Sequence, residues 1–228
     1  MALLALVDVD GTLFLTHDPL SSEALLGTLR ELYPVDLAGD AVERVDHEGQ
    51  TAKRIARLVL RLDGLEDAAI DERLDDWCSR FGARYVELLE RADTSGWQAG
   101  PGAAEALSRL RAGGVRLALL TGNPEPMARA RMTRLGLERF FAENEGAFGC
   151  DAEERGALIE LARERAGGWP AERTVEIGDT QRDVDTARSA GVRAVALRSP
   201  RPSEDFPNAA AVCDHLDDVA RLLLAWNR

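Results

Sequence analysis

The sequence predicts an α/β protein: a parallel sheet covered on both faces, interrupted once by a long helical insertion. Three observations carry this. Four short runs are almost wholly apolar and stop at turn residues, as strands buried on both faces of a parallel sheet do. From Gly100 onward helical patterns alternate with such runs. Between the first run and Gly100 the patterns are helical only.

Residues 3–9, LLALVDV, form the first strand, ended by Asp10-Gly11. Helices are expected over Ser21–Tyr33, Thr51–Leu62 and Ala68–Ala92. In the last of these Ile70, Leu74, Trp77, Phe81, Tyr85 and Leu88 make one stripe at three- and four-residue steps, which reads as core packing. The insertion covers residues 16–94, with connections near Phe14–His17 and Ala92–Gly102; the glycine-rich Ser95–Gly102 reads as a hinge. A helix over Pro101–Ala112 starts with proline and stops at Gly113-Gly114. The second strand, Val115–Leu120, runs into Thr121-Gly122-Asn123-Pro124, followed by a helix over Pro124–Leu135 capped by Gly136. A helix over Asp151–Ala166 carries Leu158, Ile159, Leu161 and Ala162 at helical spacing and stops at Gly167-Gly168. The third strand, Thr174–Ile177, meets Gly178-Asp179, and a helix spans Gln181–Ala190. The fourth strand, Val192–Leu197, is followed by Ser199-Pro200, and His215–Trp226 is a closing helix.

The 228 residues include 28 basic and 40 acidic side chains, a net charge of −12. That balance excludes a nucleic-acid binder, whose partner's phosphates need a basic footprint, and a docking patch for anionic membranes. The apolar opening, Met1–Val7, is too short to span a bilayer and lacks a basic start. A hydrophobic fraction of 45% supports a real core, and the length suits one large domain or one and a half. Cys78, Cys150 and Cys213 are scattered and form no C-x-x-C pair. The expectation is neither a disulfide framework nor a structural zinc, and a reducing, cytoplasmic location. Lys53 is the only lysine, so work needing a cation falls almost entirely to arginine.

Three strands deliver polar clusters: Asp8-Val9-Asp10-Gly11-Thr12, Thr121-Gly122-Asn123, and Gly178-Asp179-Thr180-Gln181-Arg182-Asp183. In a parallel sheet the carboxyl ends of the strands share one edge, where ligands bind, so these distant clusters converge. Up to four carboxylates meet there: Asp8, Asp10, Asp179 and Asp183. Two unit charges about 4 Å apart repel by about 4 kcal/mol at an effective dielectric near 20, so the cluster calls for a cation. An all-oxygen donor set suits Mg2+, and no His/Cys cluster offers a softer alternative. A carboxylate can attack phosphorus as a nucleophile, and a second can shuttle the proton. Gly11 lets the chain turn and aim amides at a phosphate; Thr12 and Thr121 supply hydroxyls.

The ordered set D-V-D-G-T, L-L-T-G-N and G-D-T-x-x-D resembles the haloacid dehalogenase (HAD) superfamily, and the insertion after the first motif looks like the type-1 cap of its phosphoglycolate-phosphatase-like members. The resemblance implies a Rossmann-like α/β core domain over 1–15 and 95–228 and a helical cap domain over 16–94. It implies Asp8 as nucleophile and metal ligand, and Asp10 as general acid/base, giving its backbone carbonyl to the metal. Thr121 would bind the phosphoryl group, helped by the backbone at Gly122 and Asn123; Asp179 would ligate Mg2+, with Asp183 supporting it directly or through water. The family also places a lysine or arginine between the second and fourth motifs. No lysine follows Lys53, so Arg155 is the candidate, while Arg163 and Arg165 read as solvated. In the insertion, His47-Glu48-Gly49-Gln50-Thr51-Ala52-Lys53-Arg54 resembles the cap stretch that meets the core site. There Gly49 and Thr51 could present helix-start amides to an anionic substrate, with Lys53 and Arg54 adding charge; a plain capped helix is the equal alternative.

The function implied is a Mg2+-dependent phosphatase acting on a small phosphorylated metabolite through an aspartyl-phosphate. The partners expected are that metabolite and, at most, a second copy of the chain (monomer or homodimer). A phosphomutase of the same fold is the nearest alternative, and a non-catalytic phospholigand-binding regulator the alternative from another class. A dehalogenase is disfavoured because its chemistry needs neither Asp10 nor Mg2+. His47 and His215 read as surface residues, and Trp97 and Trp169 have no assigned role.

Overall fold

A computed structural model describes residues 2–198 and 205–228; the expected Ser199-Pro200 turn lies outside them. In chain order the elements are β1 (Leu4–Val7), α1 (Pro19–Leu32), α2 (Ala52–Leu62), α3 (Asp67–Asp71), α4 (Leu74–Glu90), α5 (Ala103–Ala112), β2 (Arg116–Thr121), α6 (Glu125–Arg134), β3 (Ala147–Phe148), α7 (Arg155–Arg165), β4 (Thr174–Gly178), α8 (Gln181–Ser189), β5 (Arg193–Leu197), β6 (Ala211–Cys213) and α9 (Leu216–Trp226). Among the described residues the sheet has six strands in the order β3-β2-β1-β4-β5-β6, and every pair is parallel. β1 sits in the middle, its four residues fully buried. One apolar layer joins Leu3, Ala5 and Val7 to α5 and α9; the opposite layer joins Leu4 and Leu6 to α7 and α8. The fold is therefore α/β and Rossmann-like, as expected.

The two edge strands, β3 and β6, have no counterpart in the sequence reading. They hold two and three residues, too few to show a period. The helix expected over Ala68–Ala92 is broken at Glu72–Arg73: α3 ends at Asp71, and Arg73 enters α4 with φ −130°. The apolar stripe survives the break, since Ile70, Leu74, Trp77, Phe81 and Tyr85 are all buried, with Leu88 half-buried against the same cluster. The helix expected from Asp151 begins at Arg155, because the Asp151 carboxylate instead accepts from the Phe148 amide at 2.8 Å and pairs with Arg165. Arg165 is thus ion-paired, and Arg163 donates to the Trp169 carbonyl at 2.7 Å.

Helices α1–α4 build their own apolar cluster, centred on Trp77 stacked on Phe81. Two strands of connection join this segment to the sheet layer. Leu15 donates to Gln98 at 3.0 Å and Gly100 to Leu13 at 3.1 Å, and Trp97 packs edge-on against Phe14. The stretch expected to be a hinge is therefore hydrogen-bonded to its partner connection.

The segment is also tied covalently. Cys78 on α4 is bonded to Cys150, which follows β3, with Cα atoms 5.7 Å apart and a sequence separation of 72. This corrects the expectation of no disulfide: the pair is brought together by the packing of α4 over the β3 turn, which cysteine spacing does not encode. It also removes the cysteine argument for a reducing compartment. Cys213 is free and buried. No helix of the described residues is long and apolar enough to cross a membrane.

Candidate active site

Asp8 follows β1, Thr121 ends β2, and Asp179 follows β4. Because these strands are parallel neighbours, all three clusters open onto one edge, beneath a cleft of about 590 Å³ between the sheet and α1–α4. Asp8, Asp10, Gly11, Thr121, Gly122, Asn123, Arg155, Asp179 and Gly49 all line it. Carboxylate oxygens of Asp8, Asp179 and Asp183 lie within 4.8 Å of one another. Two glycines permit that approach. Gly11 has φ +76°, and a Cβ there would sit 2.0 Å from Asp179 Oδ2; a Cβ at Gly178 would sit 2.4 Å from Asp183 Oδ2.

Asp183 also builds the start of α8. Its carboxylate accepts from the Thr180 amide at 3.0 Å while the Thr180 hydroxyl accepts from the Asp183 amide at 3.2 Å, a reciprocal capping box. Arg155, at the first position of α7, reaches under the cluster: its Nη2 lies 2.5 Å from Asp183, 3.3 Å from Asp8 and 3.7 Å from Glu176. Burial opposes the charge on Arg155, but Asp183, Asp8 and Glu176 outweigh it and hold the guanidinium charged. One buried cation faces several carboxylates. Burial, reinforced by Asp183, Asp179 and Asp10, accordingly raises the Asp8 carboxyl well above the usual range against the pull of Arg155. Three hard oxygen donors with excess negative charge could hold a divalent cation.

Glu176 was missed by the sequence reading. It is fully buried in β4, and burial pushes its carboxyl up to about 8 despite Arg155. A lone carboxylate inside an apolar strand was the available signal.

Two threonines depart from expectation. Thr12 is fully buried and is not among the residues that line the cleft. Thr51 is buried too: it caps α2 by accepting from the Arg54 amide at 3.1 Å and donates to the Glu153 carbonyl at 2.6 Å. The amides at the start of α2 are also committed, Ala52 to the Gly122 carbonyl at 2.7 Å and Lys53 to Gly149 at 3.2 Å. This helix start serves to seat the segment on the sheet edge, and it does not offer those amides to a ligand. Gly122 and Gly149 make room for it; a Cβ at Gly122 would meet the Gln50 carbonyl at 2.0 Å. Lys53 pairs with Asp75 at 2.6 Å and Arg54 with Glu153 at 3.3 Å. His47 is half-buried and lines the cleft, contrary to a surface role, whereas His215 is exposed. Trp169 donates to the Ala2 carbonyl at 3.2 Å.

Asp10 stands apart from the three-carboxylate cluster. Its side chain accepts from Arg131 at 2.7 Å and from the Asn123 amide group. Asn123 thus meets Asp10 through its side chain.

A family model described as haloacid dehalogenase-like hydrolase matches residues 3–191. The chain is 33% identical over 222 residues to a phosphoglycolate phosphatase of Rhodospirillum rubrum, covering 94% of this chain and 87% of that one. The fold matches CbbY from Rhodobacter sphaeroides in complex with phosphate, with TM-score 0.68, 23% identity and 96% of each chain covered. It also matches a β-phosphoglucomutase from Clostridium difficile, with TM-score 0.69, 14% identity, and 99% of this chain and 98% of that one covered. At those identities the two structures speak to the fold alone. The family model and the Rhodospirillum relative, together with the acidic cluster at the sheet edge, lead to one conclusion: the chain belongs to the haloacid dehalogenase-like hydrolases and is a phosphatase of that family.

Proposed function

We propose that the chain is a Mg2+-dependent phosphatase that hydrolyses a small phosphorylated metabolite through an aspartyl-phosphate on Asp8. The observation that carries this reading is the meeting of Asp8, Asp179 and Asp183 within 4.8 Å, over buried Arg155 and open to a roofed cleft. Asp8, Asp179 and Asp183 would hold the metal, with the Asp10 backbone carbonyl. Mg2+ supplies charge that offsets the carboxylates and polarises the phosphoryl oxygens. Thr121 and the Gly122–Asn123 backbone orient the phosphoryl group, and Arg155 balances its charge. Asp8 attacks phosphorus while Asp10 gives its proton to the leaving alcohol. Asp10 then takes a proton from the water that cleaves the aspartyl-phosphate. The helical segment over α1–α4 acts as the cap, excluding bulk water during the reaction.

The cleft is of metabolite size. 2-Phosphoglycolate is the first candidate substrate, by likeness to the Rhodospirillum relative. The test is phosphate release from 2-phosphoglycolate and from a panel of small phosphate esters, with Mg2+ and with chelator. We expect Mg2+-dependent release of free phosphate. Transfer of the group to a second position on a sugar phosphate would favour a phosphomutase, and no turnover of any ester would overturn the reading.

A further inference from the structure

We propose that Arg131 is the positioning residue for the Asp10 carboxylate, and that through Asp18 and Tyr85 it ties the orientation of Asp10 to the seating of the helical segment. The proposal rests on the reading of Asp10 as proton shuttle.

Arg131 projects from α6 into the boundary between the two layers, with only 2% of its side chain exposed. Each of its donor nitrogens has a partner. Nη1 donates to Asp10 at 2.7 Å, Nη2 to Asp18 at 2.8 Å, and Nε to the Tyr85 hydroxyl at 3.1 Å. The guanidinium also lies over the rings of Phe14, at 4.5 Å, and Tyr85, at 5.4 Å. Burying a guanidinium is unfavourable unless its hydrogen-bonding capacity is met in good geometry, and here it is met from three directions.

The partners come from separate parts of the chain. Asp10 follows β1 and its carboxylate is half exposed to the cleft. Asp18 is buried; its Oδ1 caps α1 by accepting from Leu20 at 3.1 Å, and its Oδ2 also accepts from Tyr85 at 2.6 Å. Tyr85 belongs to α4. Two carboxylates therefore share one cation, one facing the cleft and the other anchored in the helical segment. Asn123 fixes the remaining oxygen of Asp10. With both oxygens held, the Asp10 carboxyl has a single orientation toward the cleft while α1 and α4 are seated. Unseating them withdraws Asp18 and Tyr85, and Arg131 loses the contacts that aim it at Asp10.

The two proton transfers depend on that aim. In the first, a bond forms between an Asp8 carboxylate oxygen and phosphorus, the phosphorus–alkoxide bond breaks, and the Asp10 proton moves to the departing oxygen. In the second, water oxygen bonds to phosphorus, its proton moves to Asp10, and the bond from Asp8 to phosphorus breaks. The first transfer matters for an alkoxide and little for p-nitrophenolate, which departs unprotonated; the second matters for every ester.

The decisive experiment compares wild type, Arg131→Met, Tyr85→Phe and Asp10→Asn on 2-phosphoglycolate and on p-nitrophenyl phosphate with Mg2+, each variant being checked for cooperative thermal unfolding. For Arg131→Met we expect kcat on 2-phosphoglycolate to fall about 100-fold. Its first turnover of p-nitrophenyl phosphate should stay within about threefold of wild type and give a burst of nitrophenolate before a slow steady state. Tyr85→Phe should repeat the pattern with a loss of about fivefold, and Asp10→Asn should show it in full. Should Arg131→Met not fold, Tyr85→Phe decides alone. Equal losses in the burst and on 2-phosphoglycolate, or no loss in a folded variant, overturn the positioning role while leaving the phosphatase reading intact. A wild type that hydrolyses neither ester overturns that reading, and this one with it.

Discussion

The sheet edge and the helical segment above it are built by different means. At the edge, Asp8, Thr121 and Asp179 are placed by local backbone: a strand ends, a turn follows, and a polar side chain is left at the cleft. Parallel pairing then brings these strand ends together: the Asp8 amide donates to the Ile177 carbonyl of β4 at 2.9 Å. The helical segment has its own core and is seated by contacts from residues far apart in the chain. Thr51 meets Glu153, Ala52 meets Gly122, Arg131 meets Asp18 and Tyr85, and Cys78 is bonded to Cys150. The strand-end residues are thus placed by short-range chain geometry and parallel pairing, and the segment above them is seated by long-range contacts.

The sharpest way to separate the two regions is to remove chemistry without disturbing seating. Asp8→Asn should lower turnover by more than about 1,000-fold. It should keep the wild-type circular dichroism and a thermal midpoint no lower, because a buried carboxyl with a raised pKa is replaced by a neutral isostere. Residual turnover near wild type would remove Asp8 from the mechanism.

Seating can be broken from the other side. Gly122→Ala puts a methyl 2.0 Å from the Gln50 carbonyl and should unseat the start of α2. A loss in kcat/KM of about 100-fold is expected, whereas Gly156→Ala, where nothing lies within 4 Å of the added carbon, should leave activity unchanged and gain about 0.5–1 kcal/mol of stability. Steady-state kinetics on both variants checks the contrast.

The disulfide ties the two regions covalently. Adding a dithiol reductant, or making Cys78→Ser, should cost about 2–4 kcal/mol for a loop of this length, read as a drop in Tm of roughly 5–15 °C. The variant should no longer respond to reductant; a wild type insensitive to reductant would dismiss the cross-link.

A pH-dependent effect concerns Glu176. Its carboxyl holds its proton to about pH 8 in the folded protein, while an ordinary glutamate releases it near pH 4.3. Between those values the unfolded chain binds fewer protons, so stability falls as pH rises through this window. In chelator, Glu176→Gln should flatten that fall, matching wild type near pH 4.5 and exceeding it near pH 8 in thermal melts. The raised Asp8 carboxyl acts in the same direction and should leave a residual slope.

Much of this was legible beforehand. The four apolar runs, the order of the three polar clusters and the all-helical stretch before Gly100 identify an α/β sheet with an insertion, and place Asp8, Asp179 and Thr121 at one edge; Arg155 followed only from the family resemblance. The reason is that strand ends and tight turns are local, and parallel pairing then brings distant strand ends together. Strands of two or three residues left no periodic trace. The break at Arg73 also went unread, because the apolar spacing runs through it unchanged.

What tertiary structure alone decided lies in pairs distant in sequence. Composition counted three cysteines but did not show that Cys78 and Cys150 meet. Thr51 reads as a helix cap with or without a ligand; only the approach of Glu153 and Gly122 shows that its helix start is spent on docking. Arg131 is one arginine among many in the sequence. It becomes singular only when α6, the residues after β1 and α4 converge on its guanidinium, because a buried charge is defined by what surrounds it. The chain by itself determined that Asp8, Thr121 and Asp179 stand at strand ends, because strand ends and turns are local; three-dimensional packing determined which partners, distant in sequence, hold them and how the cleft above them is roofed.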